Sequence, residues 1–248
     1  MVVDERRVRE PNPWFFDIPA IAALRADGID LDARVTVIVG ENGSGKSTFV
    51  EAVAQAWGSR LKAAVKHWGP PTKAEDSALH WALVLEGSEP LSHGGCFLRA
   101  EAMHDLFSSI DHAGVETRAF DGTLNTRSHG ESFLAYLESR LSERGLFVLD
   151  EPEAALSFTS CLRLLALMGL IADSGSQVLL ATHSPLLAAF PGATVLEFSA
   201  DGVTRREWRD LELVAHWQAF LARPVSYLRH LFPDQLREPD PGIQDTMS

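Results

Sequence analysis

The sequence predicts an α/β fold, a mostly parallel sheet flanked by helices with an antiparallel edge. Three observations carry that expectation. The β-branched run Val35-Thr36-Val37-Ile38-Val39 enters a glycine-rich turn and then a stretch with helical spacing. A second apolar run, Leu146-Phe147-Val148-Leu149, stops abruptly at two carboxylates. Strand-like and helix-like segments alternate along the chain, the order that makes a sheet parallel and covers both its faces.

The run at 35–39 reads as a buried strand because β-branched residues fit a pleated, enclosed surface. The helix after it is expected from about Ser47 to His67, with Phe49, Val50, Val53, Ala54 and Trp57 on its apolar side and Gly69-Pro70-Pro71 as its stop. Leu79–Leu85 and Cys96–Leu98 fit either strand or helix. Ala100–Ile110 reads as helix, as does the stretch from about Gly130 to Arg144. The strand at 146–149 leads to a helix over about Phe158–Ala172, and Val178–Ala181 is the next strand. A hairpin, Thr194–Phe198 with Val203–Trp208, turns at Asp201-Gly202 and forms the antiparallel edge. We expect a single domain over residues 1–232, with a helical lobe inserted at about 68–144, and a polar tail over 233–248.

The chain has 248 residues, 46% apolar and 23% charged, ample for a sizeable core. No run approaches the ~20 apolar residues of a membrane span, and Met1-Val2-Val3-Asp4-Glu5-Arg6-Arg7 lacks the apolar stretch of a secretory signal. The two cysteines, Cys96 and Cys161, have no metal-binding spacing. These features together lead us to expect a cytoplasmic protein. The net charge of −12 argues against a broad nucleic-acid footprint. The clusters Arg6/Arg7/Arg9, Arg60/Lys62/Lys66 and Arg205/Arg206/Arg209 read as solvated faces, so nucleic acid is at most a weakly supported partner.

Gly40-Glu41-Asn42-Gly43-Ser44-Gly45-Lys46-Ser47 matches G-x-x-x-x-G-K-[ST] in full, with Thr48 behind it. Backbone N–H groups must converge on phosphate oxygens here, and Gly40, Gly43 and Gly45 remove the side chains that would collide. The helix that follows turns its positive end to the same place. Lys46 supplies a charge for the β- and γ-phosphates, and the Ser47 hydroxyl is placed to ligate Mg²⁺. Asp150 and Glu151, at the C-terminal end of a parallel strand, fall beside this loop. Asp150 is the expected magnesium partner, and Glu151 the carboxylate that polarises an attacking water.

Asp150-Glu151-Pro152 with Glu153-Ala154-Ala155-Leu156-Ser157 resembles the Walker B and D-loop stretch of ATP-binding-cassette proteins. Arg127-Ser128-His129-Gly130-Glu131 is similar to that family's Leu-Ser-Gly-Gly-Gln signature, keeping the serine and second glycine. Ser128-x-x-Glu131 also spells a helix capping box, and both readings apply. Thr182-His183-Ser184-Pro185 resembles the switch-histidine segment. Trp14-Phe15-Phe16 stands where the family often places an adenine-stacking aromatic. Its Q-loop glutamine has no counterpart after Arg99, where Glu101 is the nearest candidate. The chain looks like the small soluble AAA family ATPases related to chromosome-maintenance and break-repair heads, without their arms.

This resemblance implies a P-loop NTPase fold with an ABC-type helical lobe, and hydrolysis of ATP to ADP and phosphate with Mg²⁺. Two chains would sandwich two nucleotides. Residues 40–48, Asp150, Glu151 and His183 of one copy would face Ser128, Gly130 and Glu131 of the other. Catalysis would fall to Glu151, His183 and Lys46, metal binding to Ser47 and Asp150. Such an ATP-timed homodimeric clamp would act on a protein or nucleic-acid partner. The alternatives are the ATPase subunit of a membrane transporter and a switch that binds ATP with little turnover. A GTPase would need an Asn-Lys-x-Asp motif, which is absent.

Overall fold

A computed structural model of the chain describes residues 1–8, 13–60, 78–86, 94–102, 129–142 and 144–232. The chain divides into two compact units, Met1–Arg206 and Glu207–Ser248. The expected domain at 1–232 spans that division, and much of the expected lobe at 68–144, like the tail at 233–248, lies outside the described residues.

In the first unit, in chain order, are β1 (Val2–Val3), α1 (Pro19–Asp27), β2 (Val35–Gly40), α2 (Lys46–Arg60), α3 (Leu79–Ala82) and β3 (Leu83–Val84). They are followed by β4 (Gly94–Arg99), α4 (His129–Ser139), β5 (Gly145–Asp150), α5 (Phe158–Asp173), β6 (Gln177–Ala181), α6 (Pro185–Ala188), β7 (Thr194–Ser199) and β8 (Gly202–Arg206). Six strands form one sheet in the order β4-β5-β6-β2-β7-β8. All pairings are parallel except β7 with β8. The α/β expectation with its antiparallel edge therefore stands. β1 and β3 pair separately and antiparallel.

Central strands that are apolar along their whole length are buried on both faces, as parallel sheets require; every residue of β5 is buried. One face carries Ile38, Val148, Leu179, Leu196 and Phe198 into a core completed by α1 and α2. Phe49 of α2 meets Phe198 edge-on at 5.4 Å between ring centres. Enclosing a side chain of that size contributes roughly 2–3 kcal/mol. The alternating residues, among them Val37, Phe147 and Leu180, face the other way, where α5 packs on β6 and α6 on β2.

α2 is described to Arg60, and its expected end near His67 lies outside the described residues. Several other boundaries differ from expectation. Ala100–Ala102 forms a single 3-10 turn, and the rest of the expected helix lies beyond the described residues. α4 ends at Ser139 and not at Arg144. The N–H groups of Arg140 and Leu141 bond three residues back, tightening the last turn. The Arg144 carbonyl is already committed to the sheet, accepting from the Gly94 N–H at 2.9 Å. β8 stops at Arg206, where its pairing with Val195 runs out, so Trp208 lies in a 3-10 turn. The ambiguous 79–85 stretch splits into α3 and β3, and 96–98 belongs to β4.

In the second unit, α7 (Glu212–Ala222) and α8 (Pro224–Leu231) form a helical pair. His216 Nδ1 lies 3.2 Å from the Tyr227 hydroxyl, and Phe220 meets Tyr227 edge-on. No described helix is long and apolar enough to cross a membrane.

Candidate functional site

β2, β5 and β6 are parallel, so their C-terminal ends open on the same side of the sheet, where α2 begins. The loop from Gly40 to Gly45 is bent by three positive φ angles, 152° at Gly40, 80° at Gly43 and 95° at Gly45. At Gly40 a Cβ would come within 2.3 Å of the Phe198 carbonyl oxygen, and at Gly45 within 2.5 Å of Ile18 Cγ2. Gly43 has nothing within 4 Å; its need is for the torsion alone. Glu41 and Asn42 stand exposed at the loop's tip.

The helix opens at Lys46, one residue ahead of expectation, and Phe49 N–H makes the first helical bond back to Gly45. The N–H groups of Lys46, Ser47 and Thr48 therefore lack acceptors within the helix. The Ser44 hydroxyl is buried without a partner. A bowl of unsatisfied donors at a helix N-terminus fits a polyphosphate anion.

Lys46 is 3% exposed, and its ammonium donates to the carbonyls of Gly40 at 2.9 Å and Glu41 at 3.0 Å. Burial pushes its pKa below the ordinary lysine value, while Glu151, Asp150, Glu153 and Glu41 work against that shift. Asp150 is 2% exposed. Burial drives its carboxyl above the usual range, and the Arg99 guanidinium opposes the rise. Ser47 Oγ donates to Asp150 Oδ1 at 3.2 Å. A hydroxyl and a carboxylate side by side next to the phosphate loop suit Mg²⁺, which seldom takes an all-protein cage. No group of three or more His, Cys, Asp or Glu ligands occurs among the described residues.

Glu151 is the only non-glycine described residue with positive φ, at φ 48° and ψ 49°. Its N–H still bonds the Ala181 carbonyl at 2.9 Å, and the left-handed turn then sends the chain out of the sheet. The β6 end is handled differently. Thr182 N–H reaches Ile38 O at 3.0 Å, and Ser184 caps α6 with Pro185 in its first turn. His183 is pinned between these bonds. Its Nε2 lies 3.1 Å from Glu151 Oε1, and its N–H donates to Glu153 Oε1 at 2.5 Å. A carboxylate only accepts, so Nε2 carries the proton in that contact.

The structure thus gathers Gly40–Thr48, Asp150, Glu151 and His183 at one edge. Gly130 and Glu131 lie in the first turn of α4, where Gly130 packs so tightly on the turn after Glu151 that a Cβ would come within 2.9 Å of the Ala155 carbonyl oxygen. Glu131 is exposed. Ser128, and with it the expected capping box, lies outside the described residues. Of the three aromatics, Phe15 is buried, Phe16 lies under the Arg25 guanidinium at 4.7 Å, and Trp14, 55% exposed, meets Phe15 edge-on at 6.0 Å between ring centres. Glu101 is exposed on its 3-10 turn. Sequence reasoning missed Arg99, which bonds Asp150 and Glu51, each at 2.8 Å. It also missed the bond from Glu153 to the His183 backbone.

Two family models match. One, described as "AAA domain", covers residues 21–69. The other, "AAA domain, putative AbiEii toxin, Type IV TA system", covers residues 132–189. The chain is 26% identical over 179 residues to the ribose import ATP-binding protein RbsA 2 of Escherichia coli O157:H7, a match covering 63% of this chain and 35% of that protein. It thus spans about a third of the length of such relatives. Similar solved structures include CbiO1 of Clostridium perfringens, part of the ABC transporter complex cbiONQ. The two are 16% identical at a TM-score of 0.46, with 81% of this chain and 87% of that one covered. The SMC head domain of Thermotoga maritima is 16% identical at a TM-score of 0.42, covering 72% and 92%. Proteins of the matched family use ATP with Mg²⁺. One AAA match contains the whole phosphate loop and the other runs from α4 through His183, so over both segments of the site the chain resembles AAA ATPases of ATP-binding-cassette type.

Proposed function

We propose that the chain hydrolyses ATP to ADP and phosphate inside a homodimer closed by the nucleotide, and acts as an ATP-timed clamp or switch on a protein or nucleic-acid partner. The observation that carries this reading is the Glu151–His183 pair, 3.1 Å apart beside the phosphate loop. His183 occupies Oε1 of Glu151 and leaves Oε2 to accept a proton from water. That water's oxygen bonds the γ-phosphorus as the bond to the β–γ bridging oxygen breaks. Lys46 and the backbone donors of residues 43–48 hold the phosphates and meet the charge that develops on them. Ser47 and Asp150 would hold Mg²⁺, which would supply positive charge to offset that of the phosphates.

The second copy has a physical rationale. The Glu151 and His183 side chains are 38% and 33% exposed, whereas such charge stabilisation is strongest where water is excluded. Ser128, Gly130 and Glu131 of the partner subunit would cover the nucleotide, and two-fold symmetry would make two such sites. Loss of the bridging γ-phosphate would then release the halves.

Glu151→Gln is the test. It should lower turnover by about 10²–10⁴-fold while ATP still binds, and light scattering with ATP and Mg²⁺ should show a trapped dimer. Monomeric elution of the ATP-loaded variant would refute the sandwich. The transporter-subunit reading is favoured by the import proteins among the relatives. It predicts that the chain co-purifies with a membrane permease, whereas the clamp leaves it free of one.

A further inference from the structure

Arg99 lies outside the phosphate loop, yet its side chain closes a ring around the acid of the candidate metal site. β4 and β5 run parallel with Arg99 opposite Asp150, so the two side chains leave the sheet together on the face that α2 covers. Arg99 Nε donates to Asp150 Oδ2 and Nη2 to Glu51 Oε2, each at 2.8 Å. Glu51 sits one helical turn after Ser47 on α2, and Ser47 Oγ donates to the other carboxylate oxygen, Asp150 Oδ1, at 3.2 Å. Gln55, a turn further on, steadies Glu51 Oε1 at 3.0 Å. The ring therefore runs Ser47, Asp150, Arg99, Glu51 and back along α2. Its side chains are largely enclosed, with Arg99 26% and Asp150 3% exposed.

We propose that Arg99, anchored by Glu51, is a positioning residue that holds the Asp150 carboxylate with Oδ1 turned to Ser47, so that the two oxygens are pre-set as one edge of a divalent-cation site. The proposal rests on the nucleotide-site reading above. Charge alone does not account for Arg99, since a cation beside a metal site repels the metal. A planar guanidinium can bridge two carboxylates at once and fix both, whereas a lysine ammonium is a point charge on a flexible stem. Groups that orient metal ligands from outside commonly govern metal affinity by 10–100-fold.

Arg99→Lys keeps the charge and removes the fork, which isolates positioning from electrostatics. The probe is Mn²⁺, titrated by electron paramagnetic resonance against the full chain saturated with the non-hydrolysable analogue AMP-PNP. Nucleotide binding is measured separately in EDTA. The Mn²⁺ concentration at half-saturation should rise by about tenfold in Arg99→Lys, with metal-free nucleotide affinity within about twofold of wild type. Glu51→Gln should shift it in the same direction by a smaller factor. The double variant should shift no further than Arg99→Lys alone, because both act through one ring. An unchanged Mn²⁺ curve in both single variants would overturn the proposal. So would additive shifts, which would mean that the residues act separately. Should Arg99→Lys fail to fold, Glu51→Gln decides, since it leaves the Arg99–Asp150 bond in place. Failure of wild type to bind nucleotide in either condition would refute the nucleotide site itself.

Discussion

The two halves of the site are built from different materials. Residues 40–48 present backbone donors on a bent loop, with glycines at 40, 43 and 45. The ends of β5 and β6 present side chains, Asp150, Glu151, Glu153 and His183, tied to one another and to the sheet by hydrogen bonds. The backbone half is fixed by torsions and close approaches, so it tolerates almost no change of shape. The side-chain half is fixed by partners, so it tolerates changes that keep size and lose only chemistry. A bowl of dipoles suits binding, and an acid steadied by a histidine suits proton transfer.

That contrast can be broken in three ways. The largest effect should come from Lys46→Ala, which removes the charged side chain of the backbone half. Hydrogen bonds to charged groups contribute about 1.5–3 kcal/mol each, so ATP affinity should fall by about a hundredfold or more. Isothermal titration checks this, and near-wild-type affinity would remove Lys46 from the site. Next is a paired substitution within the loop. Gly40→Ala meets the Phe198 carbonyl as well as an unfavourable φ and should destabilise the fold by about 3 kcal/mol. Gly43→Ala meets no atom within 4 Å and should cost only about 1 kcal/mol. Urea unfolding distinguishes them, and equal losses would show that torsion, not space, sets the loop.

The smallest effect concerns Asp150. Its folded pKa is raised above the unfolded value, chiefly by burial, so the fold favours the protonated form. The stability linked to that form is fully present below the unfolded pKa and is lost as pH rises through the folded one. Asp150→Asn, which stays uncharged, should therefore melt slightly higher than wild type at neutral pH without nucleotide. The gap should close as pH falls toward about 4. A lower Tm for the variant at neutral pH would show that the bonds from Arg99 and Ser47 outweigh burial.

The same contrast explains what could be read from the sequence. The strand, loop and helix from Val35 onward follow from local rules, since β-branching, glycine torsions and a helix N-terminus each leave their mark within a few residues. The acids at 150 and 151 were legible because they end an apolar run, and His183 through its resemblance to a switch segment. Arg99 left no such mark. Its partners lie 51 and 48 positions away; the register of β4 against β5 brings Asp150 to it, and the packing of α2 on the sheet brings Glu51. The end of α4 was misplaced for a related reason, because the Arg144 carbonyl is recruited by Gly94, fifty residues earlier.

Glu151 occupies a torsional region that glycine and asparagine enter readily and longer side chains avoid. Selection for robustness alone would push this codon toward such residues, since easing a left-handed backbone is a common route to a hardier protein. With Glu151 as the base proposed above, keeping a glutamate there would set durability against proton transfer. A lineage released from the need to turn over ATP should lose its acid here early, and gain heat tolerance as it does so.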